Sequence, residues 1–383
     1  MPFTELQNEL NERAAAGLQR QRRTVSTPQA PRLVVDGREY LSFCSNDYLG
    51  LANHPLLIAA LQRGAQQFGA GAGAAHLVSG HSAAHEQLEN ELAAFVGKPA
   101  ALLFSTGYMA NLGAVQGLVG RGDTVFADRL NHASLNDAML LSRATVKRYR
   151  HNDIAQLAAL LSQAGAGRKL VCTDAVFSMD GDMAHLPQLL ALCEQYDAWL
   201  LVDDAHGFGV SGEAGRGSLS HFGIASPRII YMATLGKAAG VSGAFVAAED
   251  IVINSLINRS SSYVYTTAAP PALSVALIES LRLIAAGDEL RAHLLSLIAQ
   301  LRKGLKGLPW ALMESNTAIQ PLIIGENQAA LDLSGSLRER GIWVAAIRPP
   351  TVPEGTARLR ITLSAAHSSD DVELLLGALH DAR

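Results

Sequence analysis

From about residue 100 the chain alternates between two hydrophobic rhythms. Short runs of apolar or β-branched residues occur at 101–104, 124–127, 170–174, 198–203, 229–233 and 243–247. Helix-patterned segments lie between most of them, as at 153–163 and 186–196. Strands that alternate with helices predict an α/β fold whose mostly parallel sheet is covered by helices on both faces. Upstream, Leu88, Leu92, Phe95 and Val96 fall on one helical stripe. Downstream, Pro270 and Pro271 open a long helical region with two stripes, Leu273/Leu277/Leu281/Ile284 and Leu290/Leu294/Leu297/Leu301/Leu305, which Gly287 and Asp288 interrupt. A strand near 319–324, a helix near 327–340, strands near 342–347 and 357–363 and a last helix predict a smaller α+β domain. Residues 1–23 read as a short helix ending in Arg20, Arg22 and Arg23. Such a cluster is either a solvated helix end that suits the C-terminal dipole or a contact for an anion. The expected organisation is a helical arm over 1–45, a large α/β domain over 46–270, and a long helix plus α+β domain over 271–383.

Composition narrows the classes. Of 383 residues 49% are hydrophobic and 17% charged, enough for a large core and too little charge for disorder. The net charge of −4 offers no general attraction to nucleic acid. Three cysteines without a C-x-x-C pair argue against a disulfide framework and for the reducing cytoplasm. Glu5, Glu9, Glu12 and Arg13 interrupt any signal-peptide core, and the uncharged stretches 99–120 and 260–278 carry glycines, Asn111 and prolines, so no membrane span is expected.

Among motifs, Gly207-Phe-Gly-Val-Ser-Gly212 matches the dinucleotide fingerprint G-x-G-x-x-G. That site also needs a helix starting there and an acid about 20 residues on. A glycine-broken stretch follows instead, and no acid stands between Glu213 and Glu249, so a nucleotide-binding oxidoreductase is the weaker reading. His81 and His85 stand four apart but lack an H-E-x-x-H pattern and an evident third ligand; a polar helix face is expected there and no metal site. Neither a G-x-S-x-G elbow nor a Walker lysine loop is present. More telling are Asp203-Asp204-Ala-His206 at the end of one predicted strand and Thr234-Leu-Gly-Lys237 after another. Open α/β sheets bind ligands at such ends. A lysine in Gly-rich, apolar surroundings is either a snorkelling side chain or one whose amine is used chemically.

Seven ordered segments identify a resemblance that spans nearly the whole chain: Ser45-Asn-Asp-Tyr-Leu-Gly-Leu51, Ser105-Thr-Gly-Tyr108, Asp128-Arg-Leu-Asn-His-Ala-Ser134, Phe177-Ser-Met-Asp-Gly-Asp182, Val202-Asp-Asp-Ala-His-Gly207, Thr234-Leu-Gly-Lys237, and Arg348-Pro-Pro-Thr-Val-Pro353 with Ala357-Arg-Leu-Arg360. The chain resembles the α-oxoamine synthases, a branch of the fold-type-I pyridoxal-phosphate (PLP) enzymes. One departure is His76, where many relatives carry Arg.

The resemblance implies an acyltransferase that joins L-alanine to a pimeloyl thioester, carried by coenzyme A or acyl carrier protein, with loss of carbon dioxide, in biotin biosynthesis. It implies Lys237 as the lysine that carries PLP and acts as general base, and Asp203 beneath the ring nitrogen. His206 meets the phenolic oxygen and His132 the ring face and acyl group. Gly107, Tyr108 and Thr234 hold the phosphate, and Ser178 orients the cofactor. Arg360 with Asn46 holds the alanine carboxylate, and Arg20 with Thr351 meets the acyl substrate. A cytoplasmic homodimer is implied, without nucleic-acid or membrane partners. Synthases of the same family that use glycine, or serine with palmitoyl thioester, are the near alternatives; a non-catalytic partner-binding protein on the same fold is a remote one.

Overall fold

The computed structural model describes residues 2–382. They form two compact units, one of residues 2–50, 179–182 and 290–382, the other of residues 51–178 and 183–289. For brevity the second is called the sheet unit and the first the discontinuous unit.

In the discontinuous unit the first helix, Thr4–Ala15, is shorter than the sequence pattern suggests. It stops because Gly17 takes a left-handed conformation with φ +66°. Arg20, Arg22 and Arg23 therefore lie beyond the helix, and their place at its negative end is not realised. Strands β1 (Arg32–Val35) and β2 (Arg38–Ser42), not anticipated in the arm, pair as an antiparallel hairpin.

The sheet unit holds seven strands: β3 (Ala100–Phe104), β4 (Thr124–Asp128), β5 (Thr145–Tyr149), β6 (Lys169–Asp174), β7 (Trp199–Asp203), β8 (Ile229–Thr234) and β9 (Ala244–Ala248). Their order is β3-β9-β8-β7-β6-β4-β5. The five from β8 to β5 run parallel, and β9 runs antiparallel to both its neighbours. Length of connection decides this. A helix, Leu186–Gln195, carries the chain from β6 back to the start of β7, whereas the loop from β8 to β9 is too short for a crossover. The edge strand β5 escaped the sequence pattern because Lys147 and Arg148 break its apolar run, the charge that keeps an edge from pairing with another chain. Helix Gly107–Leu118 packs closely by using small residues; a Cβ on Gly113 would come within 2.7 Å of the Phe104 ring.

The C-terminal part of the discontinuous unit contributes β10 (Ala311–Leu312), β11 (Ile319–Gly325), β12 (Ile342–Trp343), β13 (Ala345–Ile347) and β14 (Ala357–Thr362). The run 342–347, expected as one strand, serves two sheets. Its first half joins β2 in parallel, and its second half joins the four-stranded sheet β10-β11-β14-β13. Gly287 ends one long helix, Pro271–Ala285, before the next, Asp288–Gly304. Among the described residues no helix is long and apolar enough to cross a membrane.

Candidate active site

A cavity of about 200 Å³ opens in the sheet unit at the C-terminal ends of β6, β7 and β8. Each strand end delivers a polar group to it: Asp174, Asp203 and Thr234. Side chains alternate along a strand and its continuation, so the two neighbouring acids part company. Asp203 faces the cavity, whereas Asp204 is fully buried behind it and accepts from Ser218 N at 2.6 Å, Ser218 Oγ at 2.6 Å and Tyr231 Oη at 2.8 Å. Burial pushes Asp204 up to about 6, and those three donors pull against it.

Asp203 is held from two sides. Asn111 Nδ2 donates to its Oδ2 at 2.7 Å, and Ala205 N donates to its Oδ1 at 3.0 Å. The same Asn111 nitrogen donates to Ser134 Oγ at 2.8 Å, while Asn111 Oδ1 is buried with no hydrogen-bond partner in the protein. Lys237 Nζ stands 2.8 Å from His206 Nε2, both on the cavity wall. The lysine's loop is fastened by Gly240 N to Lys237 O and by Leu235 N to Gly243 O, both at 2.8 Å. Gly240 is required there, since a Cβ would sit 2.7 Å from the Ala52 nitrogen.

His132 caps helix Ala133–Ser142, with Nδ1 2.7 Å from Ser134 Oγ and its backbone N–H on Asp174 Oδ1 at 3.1 Å. Burial lowers the His132 pKa, the lysine charge adds to this, and Asp203 and Asp137 oppose it. Burial, then the charge of Asp203, pushes Asp174 well above the usual carboxylate range; in its neutral form it spares the cavity a second buried negative charge.

Gly107 and Tyr108 open helix Gly107–Leu118, whose N-cap Thr106 accepts from Met109 N at 3.2 Å. The first amides of a helix carry no internal partner and favour anions. Thr234 lies beside them, its Oγ1 3.8 Å from where a Gly107 Cβ would be and donating to Gly243 O at 3.1 Å. The Tyr108 hydroxyl donates to Asp137. Ser178 follows β6 by a few residues and is not part of the cavity wall.

This donor set fits PLP: an amine for the aldehyde, a carboxylate for the ring nitrogen, and helix-end amides for the phosphate. Of the residues anticipated for the cofactor and the ring face, the wall brings together Gly107, Tyr108, His132, Asp203, His206, Thr234 and Lys237. Asn111, Ser134 and Asp174 were not anticipated. Asn111 could have been found, as one of two amides, with Gln116, inside the uncharged stretch.

The other anticipated residues belong to the discontinuous unit. Arg360, on β14 and 7% exposed, donates from Nη1 and Nη2 to Asn46 Oδ1, both at 3.2 Å, and from Nη1 to Thr362 Oγ1 at 2.9 Å. Arg20 Nη2 donates to Thr351 Oγ1 at 3.1 Å. Arg348 donates to Gly17 O, and burial followed by the charge of Arg20 lowers the Arg348 pKa.

The glycines of the fingerprint-like loop have another use. A Cβ on Gly207 would lie 2.1 Å from Asp204 Oδ1, and one on Gly217, at φ +95°, 2.4 Å from Asp204 Oδ2. The helices that directly follow it are Glu213–Gly215 and Ser218–Phe222, too short for a dinucleotide site.

Residues 38–379 match the family model for aminotransferase class I and II. The chain is 62% identical over 376 residues to an 8-amino-7-oxononanoate synthase of Nitrosospira multiformis, covering 98% of this chain and 95% of the relative. It is 59% identical to one of Nitrosomonas europaea, covering 99% of each. Among solved structures, a Sphingomonas wittichii serine palmitoyltransferase superposes with a TM-score of 0.94 at 32% identity, covering 99% of this chain and 96% of that one. A Francisella tularensis 8-amino-7-oxononanoate synthase superposes with a TM-score of 0.78 at 30% identity, covering 89% and 97%. The fold is thus the fold-type-I transferase fold, as the strand and helix rhythm with the seven motifs led one to expect. The chain belongs to the aminotransferase class I and II family and, within it, to the 8-amino-7-oxononanoate synthases.

Proposed function

We propose that the chain uses PLP to condense L-alanine with a pimeloyl thioester, releasing carbon dioxide and the thiol carrier and forming 8-amino-7-oxononanoate for biotin. The observation that carries this reading is the Lys237 amine, 2.8 Å from His206 on the wall of a cavity that Asp203 also lines. Identity of 62% to a named synthase supports the reaction class, and a neighbouring structure at 30% identity is described as holding PLP.

When bound, PLP supplies an electron sink for negative charge at the amino acid's α-carbon. Lys237 anchors the cofactor, and its freed Nζ takes the α-proton as general base. Asp203, fixed by Asn111 and Ala205 N, accepts a charge-assisted hydrogen bond from the ring nitrogen. His206 faces the phenolic oxygen and keeps the lysine amine in place. His132, whose imidazole burial keeps neutral, covers the ring face and positions the acyl carbonyl. The amides of Gly107 and Tyr108 with Thr234 would hold the phosphate, and Ser178 would orient the cofactor.

Arg360 offers a planar fork to the alanine carboxylate, with Asn46 orienting the guanidinium. Holding that carboxylate would fix how the amino acid's α-carbon is presented to the bound cofactor. Arg20 and Thr351, already joined to each other, take the acyl substrate, and Arg348 adds positive charge beside them. The enzyme works as a homodimer in the cytoplasm.

The test is a product assay by mass with alanine and pimeloyl coenzyme A or pimeloyl acyl carrier protein. Formation of 8-amino-7-oxononanoate is expected. Turnover with glycine and none with alanine would overturn the substrate assignment.

A further inference from the structure

Three histidines meet at the start of helix Ala83–Val96, and none of them lines the cavity described above. His76 opens the turn His76–Gly80, His81 follows that turn, and His85 lies in the first turn of the helix. One ring nitrogen from each lies within 4.8 Å of the others, and Nδ1 of His76 stands 3.0 Å from Nδ1 of His81. The sequence pattern placed His81 and His85 on a polar helix face. Instead His85 is fully buried, His76 is 9% exposed, and His76 is the third member that spacing alone did not reveal.

The outer nitrogens of two rings are already committed. His81 Nε2 donates to Glu86 Oε2 at 3.1 Å, and His85 Nε2 donates to Ala269 O at 2.8 Å. This leaves Nδ1 as the lone-pair nitrogen of both rings. For His85 the assignment is independently required, because its Nδ1 accepts from Ser82 N at 3.0 Å. A ring that offers one nitrogen inward while a carboxylate or carbonyl holds the other N–H is how proteins orient histidine for a metal. His76 is steadied by stacking on Tyr263, with centroids 5.0 Å apart and planes 14° from parallel. Zinc–nitrogen bonds of about 2.0–2.1 Å in a tetrahedron put ligand nitrogens roughly 3.3 Å apart, near the spacing already present between His76 and His81.

Electrostatics agree. Glu86, its Oε2 3.1 Å from His81 Nε2, supplies negative charge opposite a divalent ion.

We propose that His76, His81 and His85 form a site for a borderline divalent transition metal of the zinc class, bound through three imidazoles with a fourth position for water. Coordination replaces the proton shared between His76 and His81 and the Ser82 N–H bond to His85. The ion would staple the turn His76–Gly80 to the helix that follows.

The test uses untagged holoenzyme, stripped with chelator, incubated with zinc chloride and desalted, with metal measured by mass spectrometry. About one zinc per chain is expected, and a melting temperature that rises with zinc. His81→Ala and His76→Gln should lose the retained zinc and the thermal shift, while the exposed His221→Ala keeps both. Glu86→Ala should weaken binding roughly 10–100-fold. Should His76→Gln fail to fold, the part-exposed His81→Ala decides. Zinc retained equally by wild type and His81→Ala, or by neither, overturns the site.

Discussion

Asn111 and Asp203 are joined at 2.7 Å, from a helix to the end of a central strand, and this bond, with the one from Ala205 N, orients the carboxylate in the cavity. The amide earns its burial only through that contact and the one to Ser134, since its own oxygen is unpaired. Asn111→Ala should therefore loosen Asp203 and weaken cofactor retention by roughly 10-fold, the value of a hydrogen bond to a charged group. Equilibrium dialysis of PLP checks it. Asp203→Asn should lower both retention and turnover further, because it removes the charge itself.

Lys237→Ala should abolish turnover, with a loss of at least about 10²–10⁴-fold expected from the base role alone. The melting temperature should change little, since the loop is fastened by backbone bonds that do not involve the amine. The wild-type protein should be yellow, with a colour that borohydride fixes covalently, and the variant should show no such fixation. A variant of near-normal activity would refute the assignment.

Arg360→Lys keeps the charge and loses the fork. The KM for alanine should rise by roughly 10–100-fold, corresponding to about 1.5–3 kcal/mol for hydrogen bonds to a charged group. Steady-state kinetics with varied alanine reads this out. An unchanged KM would place the carboxylate elsewhere.

Arg358 is buried and pairs with Asp180 at 2.8 Å, both within the discontinuous unit. Asp180→Ala leaves a buried guanidinium without its counter-charge, which costs about 3–5 kcal/mol. Denaturant unfolding should show that loss. Replacing both partners with apolar residues should recover much of it, because the pair's desolvation cost disappears with it.

His76 supplies a pH dependence. Its folded pKa, about 4, lies below the ordinary 6.5. The unfolded chain therefore binds the proton more tightly, and stability rises with pH across this window. The contribution is complete above 6.5 and is lost as pH falls towards 4; the shift corresponds to about 3 kcal/mol. Thermal unfolding of metal-free protein between pH 7 and 4 should be steeper for wild type than for His76→Gln.

The central strands and the cofactor-facing residues were legible because both leave local marks. A strand buried on two faces reads as a continuous apolar run, and Asp203, His206, Thr234 and Lys237 sit where such runs stop. Elements that owe their existence to partners were not legible. Strand β2 lacks an apolar run of its own and β1 has only Leu33-Val34-Val35; both are fixed by pairing with each other, and β2 also by pairing with β12. The division of 342–347 between two sheets is likewise a property of the neighbours, β2 and β14. The histidine cluster shows the same limit: four-residue spacing marked His81 and His85, but only the fold brings His76 beside them.

Gly207 and Gly217 are small because Asp204 is large and fully enclosed. Of the fingerprint's three glycines, only Gly207 makes room for that acid; a Cβ on Gly209 would meet Ala238 and one on Gly212 the Gly217 carbonyl. Pattern searches for that fingerprint gain discrimination by demanding a full-length helix directly after it.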